Sequence, residues 1–350
     1  MYQLNWNINF KNKQGNWKLG ILAECIIEKS VSNLADTATV VLPEADMNKV
    51  LKVQDSIGRG DEITIDLGYD DNLVTEFIGY VKEITTNDSA LQILCEDALF
   101  LFRKGIADRF FGVKKMKKKK SKDDGDEGES TEEPPAVGKL TSVKEVAQYV
   151  ISQIDKSYKL DCKYDIPYER FTIYQATGYD VLAKIQEETG ADIFFDMKTK
   201  TLCIYPAYTR KGGEADYSMQ HNIETSSLEY KSAEDRKVEV TVESVGVSGE
   251  VISKTVGQAG GEKITKKVGR MSAAAVKIIA DTEYKNKMAP GYEGTFDAWL
   301  IPYVEPSYTI GIYDDDYPYK DGKYYTESVT VNFSEAGGKR TIRPSIKLSK

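Results

Sequence analysis

Histidine is almost missing from this chain: His221 is the only one in 350 residues. A Ser–His–Asp triad, a Cys–His pair or a multi-histidine metal centre would each have to be built on that residue. It lies in the polar stretch 217–222, where it reads as a surface side chain. The four cysteines, Cys25, Cys95, Cys162 and Cys203, are far apart and share no CxxC spacing. That argues against a disulfide framework and a structural zinc site; Cys95 and Cys203 alternate with apolar neighbours, as small core residues do. No segment approaches the ~18 consecutive apolar residues of a membrane helix. The N-terminus, MYQLNWNINFKNKQG, lacks the basic and apolar regions of a signal peptide. Basic charge is not in excess either. A net charge of −8 and a pI near 5.1 speak against sequence-independent nucleic-acid binding as the main role. Gly257-Gln258-Ala259-Gly260-Gly261 is a flexible hairpin tip and not a phosphate loop, because no Gly-Lys-Ser/Thr follows. With 55 Asp and Glu residues, no single acidic pair points to a glycosidase. The expectation is no catalytic, cofactor or metal site, and no enzyme.

What is present is β structure. Glu62–Leu67 alternates polar and apolar residues with period two; Ala38–Pro43 reads as a strand stopped by proline, and Phe77–Ile84 and Leu91–Cys95 as further strands. They are separated by turns at Arg59-Gly60-Asp61, Gly68–Asn72 and Thr86-Asn87-Asp88-Ser89. This predicts a first β-barrel over 1–111. A lysine-rich and then acidic stretch, Lys114 to Pro135, carries too little apolar surface to offset the entropy of ordering, so 112–136 reads as a disordered charged loop. Residues 137–221 read as a small α+β module. Ser142-Val143-Lys144-Glu145 is a capping-box pattern before a helix with Val143, Val146, Ala147, Val150, Ile151 and Ile154 on one face. Thr177-Gly178-Tyr179-Asp180 opens a second helix, stopped at Gly190, and Ile193–Phe195 with Leu202–Tyr205 form a hairpin. A second barrel is predicted over 222–350, with strands at 237–243, 309–312, 324–333 and 339–348. A helix over 272–287 would put Ala275, Ile278, Ile279 and Thr282 on one face. Asp314-Asp315-Asp316 lacks the ligand spacing of a calcium loop and reads as a solvated turn.

The two ends share a pattern. Thr64-Ile65-Asp66-Leu67-Gly68-Tyr69-Asp70-Asp71 is similar to Thr309-Ile310-Gly311-Ile312-Tyr313-Asp314-Asp315-Asp316. Each is followed by an aromatic-rich strand, a polar turn (Asn87-Asp88-Ser89; Glu335-Ala336-Gly337-Gly338) and a last strand. This weak internal repeat predicts two related barrels flanking the helix–sheet module.

Four stretches together resemble a known family. Gly60-Asp61-Glu62-Ile63-Thr64-Ile65-Asp66-Leu67-Gly68-Tyr69 with Phe77-Ile78-Gly79-Tyr80-Val81 is the first. Leu91–Phe102, ending in Glu96-Asp97-Ala98-Leu99, is the second, and Thr177–Tyr205 the third. Pro302–Leu348, with Gly322-Lys323-Tyr324-Tyr325 and Gly338-Lys339-Arg340-Thr341, is the last. Their order and spacing resemble the baseplate hub proteins of contractile phage tails, the late control protein D group, related to the N-terminal part of VgrG spike proteins. The charged loop departs from the family pattern as an insertion. The resemblance implies a virion tail component assembled in the bacterial cytoplasm. It implies a homotrimer whose two barrels per chain adapt a six-fold tail tube to a three-fold spike, with tube, spike and other baseplate proteins as partners. DNA would pass through its channel without being bound. The chain stops after the last barrel strand, so the spike is expected to be a separate polypeptide. The alternatives are a type VI-like secretion tip protein, a cell-wall glycosidase, and a carbohydrate-binding β module motivated by 22 tyrosines and 3 tryptophans.

Overall fold

A computed structural model describes residues 3–43, 56–86, 90–112, 139–234, 236–246 and 249–349. Its N-terminal part is made of strands β1 (Leu4–Asn12), β2 (Gly15–Lys18), β3 (Glu24–Ser30), β4 (Thr37–Pro43), β5 (Glu62–Tyr69), β6 (Asn72–Thr86) and β7 (Ala90–Glu96). Period-two alternation does what it should: in β5, Ile63, Ile65 and Leu67 are buried while Glu62, Thr64 and Asp66 are not. Asp70 and Asp71 adopt φ of 50° and 63°, the left-handed backbone that a two-residue hairpin between Tyr69 and Asn72 requires. The tip 87–89 lies outside the described residues, but β6 and β7 pair on either side of it.

The middle segment contains α1 (Leu99–Phe102), β8 (Arg109–Phe111), β9 (Thr141–Ser142), α2 (Val143–Ile154), β10 (Lys159–Cys162), β11 (Pro167–Ile173), α3 (Gly178–Thr189), β12 (Ala191–Asp196) and β13 (Thr201–Pro206). The charged stretch Lys114–Pro135 lies outside the described residues; β8 and β9, on its two sides, both pair with β11. The cap of α2 differs from the expected box. The Ser142 hydroxyl accepts from Glu145 N–H, but the Glu145 carboxylate is turned to the Thr141 hydroxyl (2.8 Å). At α3 the box is complete between Thr177 and Asp180, and Gly190 ends the helix at φ 68°.

The remaining elements are β14 (Glu214–Ser218), β15 (Thr225–Ser226), β16 (Glu229–Lys231), β17 (Val238–Val245), β18 (Val251–Gly257), β19 (Glu262–Lys267), β20 (Arg270–Met271), α4 (Ala273–Met288), β21 (Gly291–Glu293), β22 (Phe296–Trp299), β23 (Thr309–Tyr313), β24 (Gly322–Ser334) and β25 (Gly337–Ser349). Two expectations change here. The 257–261 stretch is not a hairpin tip, because β18 and β19 lie on opposite sides of β17, antiparallel and parallel to it. On α4, Ala275, Val276, Ile279 and Ala280 are buried and Ile278 is exposed, so the apolar stripe is rotated by one position. Packing links residues on both sides of position 221/222. Val240, Val242, Met271, Ala275 and Ile279 join the core of the middle segment, while β14 pairs with β23.

Both ends belong to one 15-stranded sheet. In the N-terminal half the order is β1-β5-β6-β7-β4-β3; in the C-terminal half it is β14-β23-β24-β25-β22-β15. In both, a three-strand meander is followed by the strand that precedes it in sequence and then by an earlier one. The match breaks at the first strand: β1 is antiparallel to β5, whereas β14 is parallel to β23. The halves join where β3 pairs with β24, from Ser30↔Ser328 to Glu24↔Ser334. One apolar core runs through both, from Ile8, Ile27 and Val40 to Ile310, Val329 and Ile342.

Candidate functional site

The junction of the halves holds a cluster of buried charges. Arg340 on β25 has no exposed surface, and its guanidinium grips Glu76 of β6 with both terminal nitrogens (2.6 and 3.3 Å). The same nitrogens donate to the carbonyls of Leu300 (3.0 Å) and Val304 (3.2 Å). Lys29 on β3 lies 3.6 Å from Glu76 and 3.1 Å from Glu305, and the Tyr303 hydroxyl donates to the Glu305 carboxylate. Nearby anions hold the Arg340 guanidinium above its ordinary range against the opposing effect of burial. The Arg340 Nε is buried without a partner, but the charges themselves are paired, and such a cluster fixes which strands meet, because any other register leaves a buried charge alone.

Two sequence-level signals explain how these charges come to be inside. Arg340 shares parity with Gly338 and Ile342 in β25, and all three are buried. Glu76 is the extra residue of a bulge: Ile65 pairs with Phe77 and Asp66 with Thr75, so Glu76 and Phe77 both turn inward. Alternation marks Arg340 as a charge on an apolar face; nothing in the sequence marks the bulge.

A second contact seats the middle segment on this junction. Val31 and Tyr325 of the large sheet meet Phe194 and Cys203 of the β10-β13-β12 sheet in a small apolar cluster. Beside it, the Asp192 carboxylate accepts from Tyr208 N–H (3.0 Å) and the Tyr325 hydroxyl (3.2 Å). Burial pushes the Asp192 carboxyl up to about 7. A cavity of about 330 Å³ opens between the sheets, with Lys29, Glu76, Lys198, Arg210 and Glu305 in its wall. Arg210 crosses it, reaching Asp196 (3.4 Å) and the Ser307 hydroxyl (3.3 Å). At its far side, burial raises the Asp36 and Asp97 carboxyls, and the charge of Asp36 raises Asp97 further. Each of the three cations in the wall, Lys29, Lys198 and Arg210, pairs with an acid there, which suits a structural joint.

The residues singled out from sequence lie apart from this junction. His221 is exposed in the turn after β14. Cys25, Cys95 and Cys203 are buried, Cys162 is half-buried, and all four are free thiols. Asp314, Asp315 and Asp316 form part of the β23–β24 connection. Among the described residues no group of three or more His, Cys, Asp or Glu side chains is arranged to hold a metal ion, and no helix is long and apolar enough to cross a membrane.

No family model matches the chain, and no curated protein matches it. Solved structures do. A tail protein of Neisseria meningitidis MC58 superposes with a TM-score of 0.63 at 13% identity, covering 97% of this chain and 96% of its own. The fold is that of phage tail proteins. The 43 kDa tail protein of prophage MuSo2 from Shewanella oneidensis agrees equally well, with a TM-score of 0.63 at 14% identity over 97% of this chain and 98% of its own. An E. coli component of the type VI secretion system, itself structurally similar to the T4 tail proteins gp27 and gp5, gives 0.59 at 10% identity over 99% of this chain and 77% of its own. The phage-tail likeness read from the sequence thus reappears in the backbone fold, which is mainly β. At these identities the likeness concerns backbone architecture, which alternation and turns specify while side chains drift.

Proposed function

We propose that this chain is a structural baseplate hub of a phage tail or phage-like contractile injection system: a homotrimeric ring, without catalytic role, adapting a six-fold tail tube to a three-fold spike. One observation carries the reading. The internal contact between halves pairs β3 with the distal part of β24, on the edge that β23 leaves free after Tyr325. By strand order, the counterparts of β3 and β24 are β15 and β6. Among the described residues β15 pairs only with β22, and β5 pairs with β6 no further than Tyr80, with Val81 and Lys82 bonded to residues 59–61 and no strand on that edge beyond them. Repeating the internal contact between copies would join β15 of one chain to β6 of the next. Each such step repeats the same rotation, and closure after three chains would give six similar units around an axis. On this reading the two sheet halves are the barrel-like domains and the helix-bearing middle segment lies outside the ring. Its partners are then the tube protein, a separate spike and other baseplate proteins, its place is the virion tail, and DNA passes without specific binding.

Light scattering on the purified chain should give about three times 39.2 kDa, and class averages should show a three-fold ring with a central hole. A chain that remains monomeric beside its cognate spike overturns the reading. The likeness to the type VI component supports a second possibility, a secretion-tip protein with the same ring, distinguished by whether the surrounding genes encode a capsid.

A further inference from the structure

The connection between β23 and β24 is one place where the halves differ at the surface. Its N-terminal counterpart closes with two residues, Asp70 and Asp71. Here the strands are separated by Asp314–Asp321, and Tyr313, Tyr317 and Tyr319 are 43, 52 and 68% exposed. The fold does not require these rings outside, since the shorter turn closes the same meander. Nor are they held loosely. The Asp314 carboxylate is nearly buried and accepts from Asp316 N–H (3.1 Å), Tyr317 N–H (3.3 Å) and the Gln220 amide (3.3 Å). Asp321 accepts from Asp314 N–H (2.8 Å), and Lys320 pairs with Asp314 at 3.8 Å. Tyr319 continues the surface to Tyr230, with ring centroids 6.2 Å apart. A fixed tip presenting tyrosines loses little entropy on being covered, which is the economy of interface anchors.

The tip also carries evidence of what it holds. Lys320 Nζ sits 4.1 Å from the centre of the Tyr317 ring, and Lys347 Nζ 5.8 Å from that of Tyr230, so these rings already accept cations. Lys320 is matched by Asp314 and Lys323 by Glu214 (3.1 Å). Asp315 and Asp316 are exposed and have no ion-pair partner among the described residues, which leaves the surface negative. We propose that the β23–β24 tip is a docking surface for a protein partner that presents arginine or lysine side chains to the Tyr313, Tyr317 and Tyr319 rings. The inference depends on the hub reading only for the partner's identity, an adjoining tail component.

The test is a calorimetric titration of the full chain with a ten-residue alternating arginine–glycine peptide at low and moderate salt. The expected result is salt-sensitive binding that weakens about tenfold or more in Tyr317→Ala/Tyr319→Ala and in Asp315→Asn/Asp316→Asn, with unchanged melting temperature. Asp70→Asn/Asp71→Asn, which alters the acidic turn without tyrosines, should bind as the parent does. Unaltered binding by the tip variants overturns the proposal, and so does equal weakening by the Asp70/Asp71 pair, which would mark a general charge effect. Tip variants that change the oligomeric state would show a contact between copies, and competition by chitotetraose would show a glycan site; either overturns it. A chain that binds the peptide at the tip yet never forms a trimer would refute the hub reading alone.

Discussion

The two halves of the large sheet have the same strand order and different ornament. Five strands correspond in position and direction, yet β1 runs antiparallel to its neighbour and β14 parallel. The N-terminal meander turns on two residues, the C-terminal one on an ordered aromatic connection. Between the inner strands of the halves lies a further contrast. β3 and β4 are joined directly, whereas β15 and β22 are separated by β16 to β21 and α4, of which β17 and α4 pack on the middle core. Hydrogen-bond ladders and alternation hold the shared frame, because one slipped residue would turn a whole apolar face to water. Turns and insertions face no such constraint and are free to acquire contacts.

The strongest way to break the comparison is to unlink the halves. Arg340→Met leaves Glu76 buried with only Lys29 for compensation, and Lys29 is already shared with Glu305. Removing one partner of a buried pair costs roughly 3–5 kcal/mol. Urea denaturation should show that loss, and adding Glu76→Leu should recover much of it, since a neutral pair of similar volume leaves no charge stranded. A double variant no more stable than Arg340→Met would show that the ion pair is not what couples the halves. A smaller effect isolates the N-terminal meander. An added Cβ at Gly68 would lie 2.1 Å from the Asn72 carbonyl oxygen, a backbone atom that cannot yield without opening the hairpin. Gly68→Ala should cost about 1–3 kcal/mol; an unchanged midpoint would mean the turn is plastic.

How much of this was legible beforehand follows from what alternation encodes. The repeat around Tyr69-Asp70-Asp71 and Tyr313-Asp314-Asp315 did mark corresponding hairpins, because period-two burial and turn residues are local signals. The helix caps at Ser142 and Thr177 were legible for the same reason, although Glu145 found a closer partner in Thr141. The junction was not legible. Glu76 turns inward through a bulge set by the pairing of β5 with β6, and Arg340 became a candidate only once its parity met a partner far away in sequence. That Val240, Val242, Ala275 and Ile279 pack on the middle core was not legible either, because strand and helix patterns state which face is buried, not against what.

A smaller effect sharpens the contact between the middle segment and the C-terminal half. Folding raises the Asp192 carboxyl from its ordinary 3.8 to about 7. The neutral form is therefore the one the fold favours, and the folded chain binds more protons than the unfolded one between those values. This contribution is full below about pH 4, falls as pH rises toward 7 and is absent above it. Asp192→Asn keeps the shape without the charge. It should stabilise the protein at pH 8 by roughly 1–2 kcal/mol and flatten the stability profile between pH 4 and 7. Matching profiles for parent and variant would mean that Asp192 is compensated in solution by a cation.

The smallest expected effect concerns the strand where the two halves part company. β14 runs parallel to β23, so after Ser218 the chain must turn back before β15, and His221 sits in that return. The turn is held by other groups. The Asn222 side chain accepts from Ser218 N–H (2.7 Å) and donates to the Asp216 carbonyl (3.2 Å), while Gln220 donates to Asp314 (3.3 Å). His221 contributes its backbone N–H, which reaches the Ser218 carbonyl at 3.2 Å, and any residue supplies that. His221→Gln should therefore shift stability by no more than about 0.5 kcal/mol and leave the oligomeric state untouched, whereas Asn222→Ala should cost about 1 kcal/mol through two lost hydrogen bonds. Thermal unfolding and light scattering on the two variants separate the cases. A folded His221→Gln chain that no longer assembles would make the imidazole part of an interface, and would locate that interface at the one strand the N-terminal half does not match.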